Sequence, residues 1–331
     1  MTAMRLDGRR KAAALLAAAL FVYALGASSV RGESYAYVAN SASGTVSIVD
    51  TQTDKVTSTF NVGEKPRALA ASIDGARLYT AHQNGTVIER DLFTDKSVRL
   101  VVGRAAKAIH PSPDGKLLSI AIDGSDVVAL VDMAALRVLK TIRISGKDAE
   151  HAVFSPDGRW IYADTEDGDA VDVIDVAKGA VIKSINVGHR ARGIGFLPGG
   201  ARAYAARDGE IVVIDASRHD VVARVKSAGA LRDVAVHPDD KRVFVSAADA
   251  GAVRVLDAQA NSIIASVDVG AGPSNMAFTA DGNKLYVACS GTNEVSVIDT
   301  STYKRIQGIP VGASPSAIVI SERPTLPRDG D

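Results

Sequence analysis

The chain has 331 residues, 47% of them apolar, which is enough to bury a large core and excludes a disordered chain. Basic and acidic residues number 38 each, so no global charge points to nucleic acid or to an anionic membrane surface. Cys289 is the single cysteine, which excludes an intramolecular disulfide, and no Cys-x-x-Cys-His sequence exists to attach a c-type haem.

The first 27 residues differ from the rest. Arg5, Arg9, Arg10 and Lys11 give a positive start, "AAALLAAALFVYAL" (12–25) is an apolar run of 14, and small residues follow at 26–28. That order is the pattern of a cleaved secretory signal, and the run falls short of the ~20 residues of a membrane span. The expectation is export to the periplasm or the exterior with no transmembrane span after cleavage; an uncleaved anchor and a twin-arginine signal are the weaker alternatives. Removing 1–27 leaves 34 basic and 37 acidic residues, a formal charge of −3. A short linker is assigned to 28–33.

From residue 34 the chain repeats itself. The Asp that closes a "VSIVD"-like run recurs as Asp50, Asp91, Asp132, Asp175, Asp215, Asp257 and Asp299, in steps of 41, 41, 43, 40, 42 and 42. A period of 40–45 residues marks the four-stranded blade of a propeller. Each unit has one grammar. An apolar run leads to a turn such as "SPDG" (112–115, 155–158), where Asp-Gly suits a tight antiparallel connection. A run with an aromatic near its head follows, as in "YVAN" (37–40), "LYTAH" (78–82), "IYADT" (161–165) and "LYVAC" (285–289). Then come a loop, the "VSVID" strand, and a fourth strand that ends in Val-Gly in several units. No stretch shows a helical period. The repeats begin on a second strand, "SYAYVAN", and end on a first strand, "SPSAIVIS" (314–321). The two should pair and close a ring of seven blades, removing an open sheet edge. The predicted fold is therefore all-β: a seven-bladed β-propeller of four-stranded antiparallel blades over 34–321, followed by a disordered polar tail at 322–331.

The "YVAN" and "YVAC" strands, the "VSxxDT" runs and the Val-Gly endings resemble the YVTN-repeat β-propeller family over about 34–321. A single tryptophan, Trp160, disfavours WD40 repeats, and the period disfavours kelch repeats. The resemblance implies an exported scaffold. Its members include YncE-like periplasmic proteins, surface-layer proteins and accessory proteins of quinoprotein pathways, and similar propellers include lactonases, so fold does not fix function.

Ligands of a propeller gather at the mouths of the central channel. Counting back seven residues from each turn Asp, or its equivalent, aligns Arg67, Lys107, Glu150, Arg192, Arg232, Ser274 and Ser316 at the head of the inner strands. Four of the seven are basic, and cations converging in a concave mouth attract anions. The alternative is that each is a solvated residue with its own ion pair. The fourth blade adds His151 and the acidic loop "DTEDGD", with Asp164, Glu166, Asp167 and Asp169; these are weak metal candidates, since the spacing matches no EF-hand. His110 stands where the other inner strands hold Ala70, Val153, Gly195, Ala235, Ala277 and Val319, either as a ligand or as a buried ring bonded to a backbone carbonyl. His237 replaces a turn serine and reads as structural. His82 and His189 lie on the mouth side and are the remaining acid–base candidates. Cys289 reads as a small strand residue.

No Gly-x-Ser-x-Gly, His-Glu-x-x-His or phosphate-binding loop is present, and aromatics make up only 5%, too few for a nucleic-acid stacking platform. The reading is a non-enzymatic, monomeric, exported scaffold without a cofactor. It would bind an anionic small molecule, a peptide or a protein partner at the channel mouth. A lactonase-like hydrolase is the alternative, in which Arg192 or Arg232 polarises an ester carbonyl and His151 or His189 activates water. An accessory of a periplasmic quinoprotein dehydrogenase is the third.

Overall fold

A chain that repeats a four-strand unit must stack its units, because one blade has two apolar faces and cannot cover either alone. The computed structural model describes residues 33–63 and 65–323; the leader at 1–27, the linker as far as 32 and the tail from 324 lie outside the described residues. Among the described residues there are 28 strands and no helix, arranged as seven four-stranded antiparallel sheets. Six blades are built from four consecutive strands, as blade two is from Pro66–Ala71, Arg77–His82, Thr86–Asp91 and Ser97–Val101. Blade one is made from both ends of the chain. Its inner strand, Pro315–Arg323, pairs with Glu33–Asn40, which is followed by Thr45–Asp50 and Lys55–Asn61. The register runs from Glu33 opposite Arg323 to Asn40 opposite Pro315, so the last strand reaches two residues further than the sequence suggests.

The repeated residues have structural duties. Tyr37, Tyr79, Tyr162, Tyr204, Phe244 and Tyr286, the aromatics of the second strands, are all buried between blades. The core divides into seven hydrophobic clusters, each joining two adjacent blades, and the six aromatics stand in six of them, one in each. The periodic Asp caps the hairpin between third and outer strands. Asp299 accepts the N–H groups of Ser301 (2.9 Å) and Thr302 (2.8 Å), and Asp91 those of Phe93 and Thr94. Donors from Ser301 and Thr302 pull the Asp299 carboxyl down to about 2. In the turn after the inner strand, Ser112 donates to Asp114 (2.7 Å) and accepts the N–H of Leu117 (2.9 Å). His237 does related work: its Nδ1 accepts the Asp239 N–H (3.0 Å) and its Nε2 lies 2.9 Å from the Gly282 carbonyl. Cys289 is fully buried in its strand.

The closing strand places Ala317 and Ile318 in the clusters on either side of blade one. Returning one large apolar side chain to water costs about 1.5–3 kcal/mol. Opening two of the seven interfaces therefore rivals the whole net stability of a domain, roughly 5–15 kcal/mol. Deleting residues 312–331 should abolish cooperative unfolding, although one strand is lost. Thermal circular dichroism checks this; a truncated protein that melts within a few degrees of the full chain contradicts it.

Candidate functional site

The seven aligned positions share a backbone feature. Each falls at a register shift where the inner strand meets the second strand. Pro66 pairs with His82 and Ala68 with Ala81, so Arg67 is left without a partner. Lys107 and Arg192 are displaced in the same way. In blades four, six and seven the shift spans two residues, Glu150–His151, Arg232–Asp233 and Ser274–Asn275. In blade one it leaves out Ser316. A bulge bends a strand and re-aims its side chains, and here it delivers these residues to one mouth of the channel.

The rim is not a bare ring of cations. Arg67 is hydrogen-bonded to Asp123, and Arg192 to Glu166. Lys107 lies 2.5 Å from Glu150 and 3.7 Å from both Asp123 and Glu166. The acids Asp123 and Glu166 come from the loops after the second strands of blades three and four. Arg192 is nearly buried, whereas Arg232 is exposed and has no ion pair among the described residues. Burial pushes the Glu150 carboxyl up to about 7, against the pull of His151 and Lys107. Its hydrogen bond to Glu166, with Arg192, holds Glu166 down to about 2. Two carboxyls in contact thus divide into one that keeps its proton near neutrality and one that stays ionised.

His151 forms the floor. It lines both the mouth cleft of about 540 Å³ and a channel cavity of about 680 Å³ below it. Asp164, wholly buried, accepts the His151 backbone N–H (2.6 Å) and sits 3.5 Å from Nδ1. Burial works against a charge on the ring, but Asp164, then Glu150 and Asp233, outweigh it and raise its pKa to about 9. At neutral pH His151 is a cation, not a base. His110 faces it with ring centroids 6.1 Å apart; burial and the His151 charge push it down to about 3, and its Nε2 has no partner among the described residues. Asp233, raised by burial, accepts from Asn275 (3.0 Å) and from the Met276 N–H (2.9 Å).

The remaining candidates scatter. Asp167 and Asp169 are exposed; His189, 59% exposed, lies 3.4 Å from Asp169, away from His151 and its partners. With Asp164 beneath His151 and Glu166 between Lys107 and Arg192, the four acids of the loop do not share one centre. Among the described residues no group of three His, Cys, Asp or Glu side chains is placed to hold a metal ion. His82 is buried, 2.7 Å from the Thr80 hydroxyl. The sequence reading missed Asp123 and the Asp233–Asn275 link. Asp164 had a signal of its own: five equivalent second-strand positions hold Ala39, Ala81, Ala121, Ala206 and Ala288.

Fold and mouth together define a seven-bladed β-propeller with a charge-lined channel. The sequence matches the model of the YNCE-like beta-propeller family over residues 11–325, and the chain belongs to that family. No curated protein matches it significantly. Among solved structures, hydrazine synthase of Kuenenia stuttgartiensis is similar at 24% identity and a TM-score of 0.73, covering 80% of this chain and 92% of that one. A functionally unknown protein from Desulfotomaculum acetoxidans gives 16% identity and a TM-score of 0.75, covering 88% and 99%. The dihydro-heme d1 dehydrogenase NirN, in complex with DHE, gives 17% identity and a TM-score of 0.67, covering 86% and 74%. At these identities the likeness concerns the fold.

The His151 site predicts a pH dependence. A histidine whose pKa rises on folding stabilises the protein fully below its unfolded value, about 6.5, and that stability is lost as pH rises through about 9. The wild-type melting temperature should fall between these limits, and His151→Gln should flatten the profile there. An unchanged slope in the variant, followed by calorimetry, would show that His151 is not the titrating group.

Proposed function

We propose that the protein is an exported, non-enzymatic propeller that binds a small anionic ligand at the mouth of its channel. One observation carries the reading. The cleft of about 540 Å³ gathers Lys65, Arg67, Lys107 and His151, with Ser274 and Ser316, around a single carboxylate, Glu150. Burial biases that carboxyl toward its neutral form, so the cleft has an excess of positive charge even after its internal pairs are counted. Lysine, guanidinium and hydroxyl donors suit a carboxylate or phosphate. Arg192 and Arg232 lie outside the lining of this cleft, which shifts the reading toward blades one to four and seven. The leader at 1–27 supports export. NirN, recorded in complex with DHE, gives a precedent for ligand binding on a related fold. A protonated His151 disfavours the hydrolase, because that reaction needs a free imidazole as its base.

A thermal-shift panel of phosphate, citrate and a sulfonated dye tests this. At about a hundredfold excess over Kd a bound anion should raise the melting temperature on the order of 3–5 °C. The double substitution Lys65→Gln with Arg67→Gln should remove the shift, and Arg232→Gln should keep it. Shifts that are equal in all three proteins, or that follow ionic strength alone, contradict an anion site in this cleft.

A further inference from the structure

We propose that the outer strand of blade two is a docking edge for an extended, acidic segment of a partner protein, which adds to the blade as a fifth strand. In six blades the outer strand is broken by a register shift against the third strand, for example between Ile48 and Val49 in blade one and between Val173 and Ile174 in blade four. A bulge of this kind twists an edge and blocks further pairing. Blade two has none: Thr86 to Arg90 pair in unbroken order with Val101 to Ser97. The sequence gives the cause. From the Asp that ends the third strand to the residue just past the outer strand, six blades advance 12 positions, as from Asp50 to Val62 or Asp299 to Val311, whereas blade two advances 11, from Asp91 to Val102. The residue that would form the bulge is missing.

The register also shows which backbone groups are free. Asp91 N–H donates to the Lys96 carbonyl (2.9 Å) and Val102 N–H to the Gly85 carbonyl (2.9 Å). In an antiparallel ladder these bonds fix the alternation, so Val98 and Leu100 bond inward while Ser97, Arg99 and Val101 turn N–H and C=O outward. Val98 and Val101 are 55% and 67% exposed, a high apolar content for a free edge. A cleft of about 350 Å³ alongside, lined by Val62, Ile88, Val98 and the guanidinium-bearing Arg90 and Arg99, can take a side chain of the added strand.

Charge selects the occupant. Lys96, Arg99 and Arg104 are exposed, and none is ion-paired among the described residues. No acid lies between Lys96 and Arg104. A second copy of the chain would set this basic strand against itself, and like charges across a strand pair are destabilising. An acidic strand meets them with opposite sign. The edge lies on the rim of the ring and is distinct from the channel mouth.

The test uses the whole protein and labelled peptides of alternating Val and Glu, of alternating Val and Lys, and of Val and Glu with N-methyl groups on every second amide. The unmethylated acidic peptide should bind at least tenfold more tightly than the other two, and more weakly as salt rises from about 50 to about 300 mM. Val101→Pro removes an outward N–H at a position where an edge strand tolerates proline, and should cost the acidic peptide at least tenfold. The double substitution Lys96→Glu with Arg99→Glu should reverse the preference in favour of the Val–Lys peptide, a result independent of whether Val101→Pro folds. Equal binding of the methylated peptide, full binding by a folded Val101→Pro protein, no reversal in the charge-swapped protein, or binding of none of the peptides would overturn the proposal. A concentration-dependent dimer abolished by Val101→Pro would overturn it too, assigning the edge to a second copy.

Discussion

Seven blades, each apolar on both faces, can all be covered only if the first meets the last. The chain meets this constraint by dividing blade one between its two ends. Ile318 packs into the cluster shared with blade seven and Ala317 into the cluster shared with blade two, so one strand completes two of the seven interfaces. The closure is held at the channel as well. Asp233 of blade six accepts the Met276 N–H of blade seven, and Asn275 of blade seven accepts the Ile318 N–H of the closing strand at 2.8 Å. These latches come from the same bulges that form the mouth. The geometry of the site and the closure of the ring are thus one arrangement, and loosening either should disturb the other.

At the mouth, position and charge have separate origins. Bulges at the heads of the inner strands supply the cations together with Glu150, and the loops after the second strands supply Asp123 and Glu166. Convergent cations in a concave site would repel one another, and Asp123, Glu150 and Glu166 relieve that cost. Burial lifts Glu150 so that it titrates near neutrality, while its hydrogen bond with Glu150 and the Arg192 guanidinium keep Glu166 a carboxylate. His151 is set the opposite way, charged through Asp164 although burial alone would neutralise it. The site is a preorganised electrostatic cradle, and its strongest proton acceptor is already protonated.

Much of this is legible in the sequence. The spacing of the turn aspartates required seven units, and a chain starting on a second strand and ending on a first required closure. Aligning seven inner-strand positions identified equivalent residues correctly, because the turn fixes the count. That they are bulges was hidden, since a bulge belongs to the register of two strands and not to one segment. Asp123 was missed for a similar reason. It is equivalent to Glu166 and Asp208, one residue past the second strands of consecutive blades, but it serves Arg67 of the blade before. Asp164 adjoins an acidic loop in the sequence, which makes it look like a metal candidate, but its equivalents are five buried alanines and Ser246, and its place is beneath His151. The residue missing from the outer strand of blade two was visible as a count of 11 against 12, but a short run of strand has no periodic pattern that calls attention to one absence.

Native-state hydrogen exchange of the closing strand tests the account most directly. If the ring depends on Pro315–Arg323, the amides of Ala317 and Val319, which face Ala39 and Tyr37 of the second strand, can exchange only when the whole molecule unfolds. Their opening free energy should then match that of the buried second strands, such as Tyr79 and Tyr204, and fall with denaturant along the same global slope. Exchange of these amides by a local opening of a few kcal/mol, with the other blades still protected, would contradict the account. The C-terminal strand would then be an ornament on a ring held closed by other means.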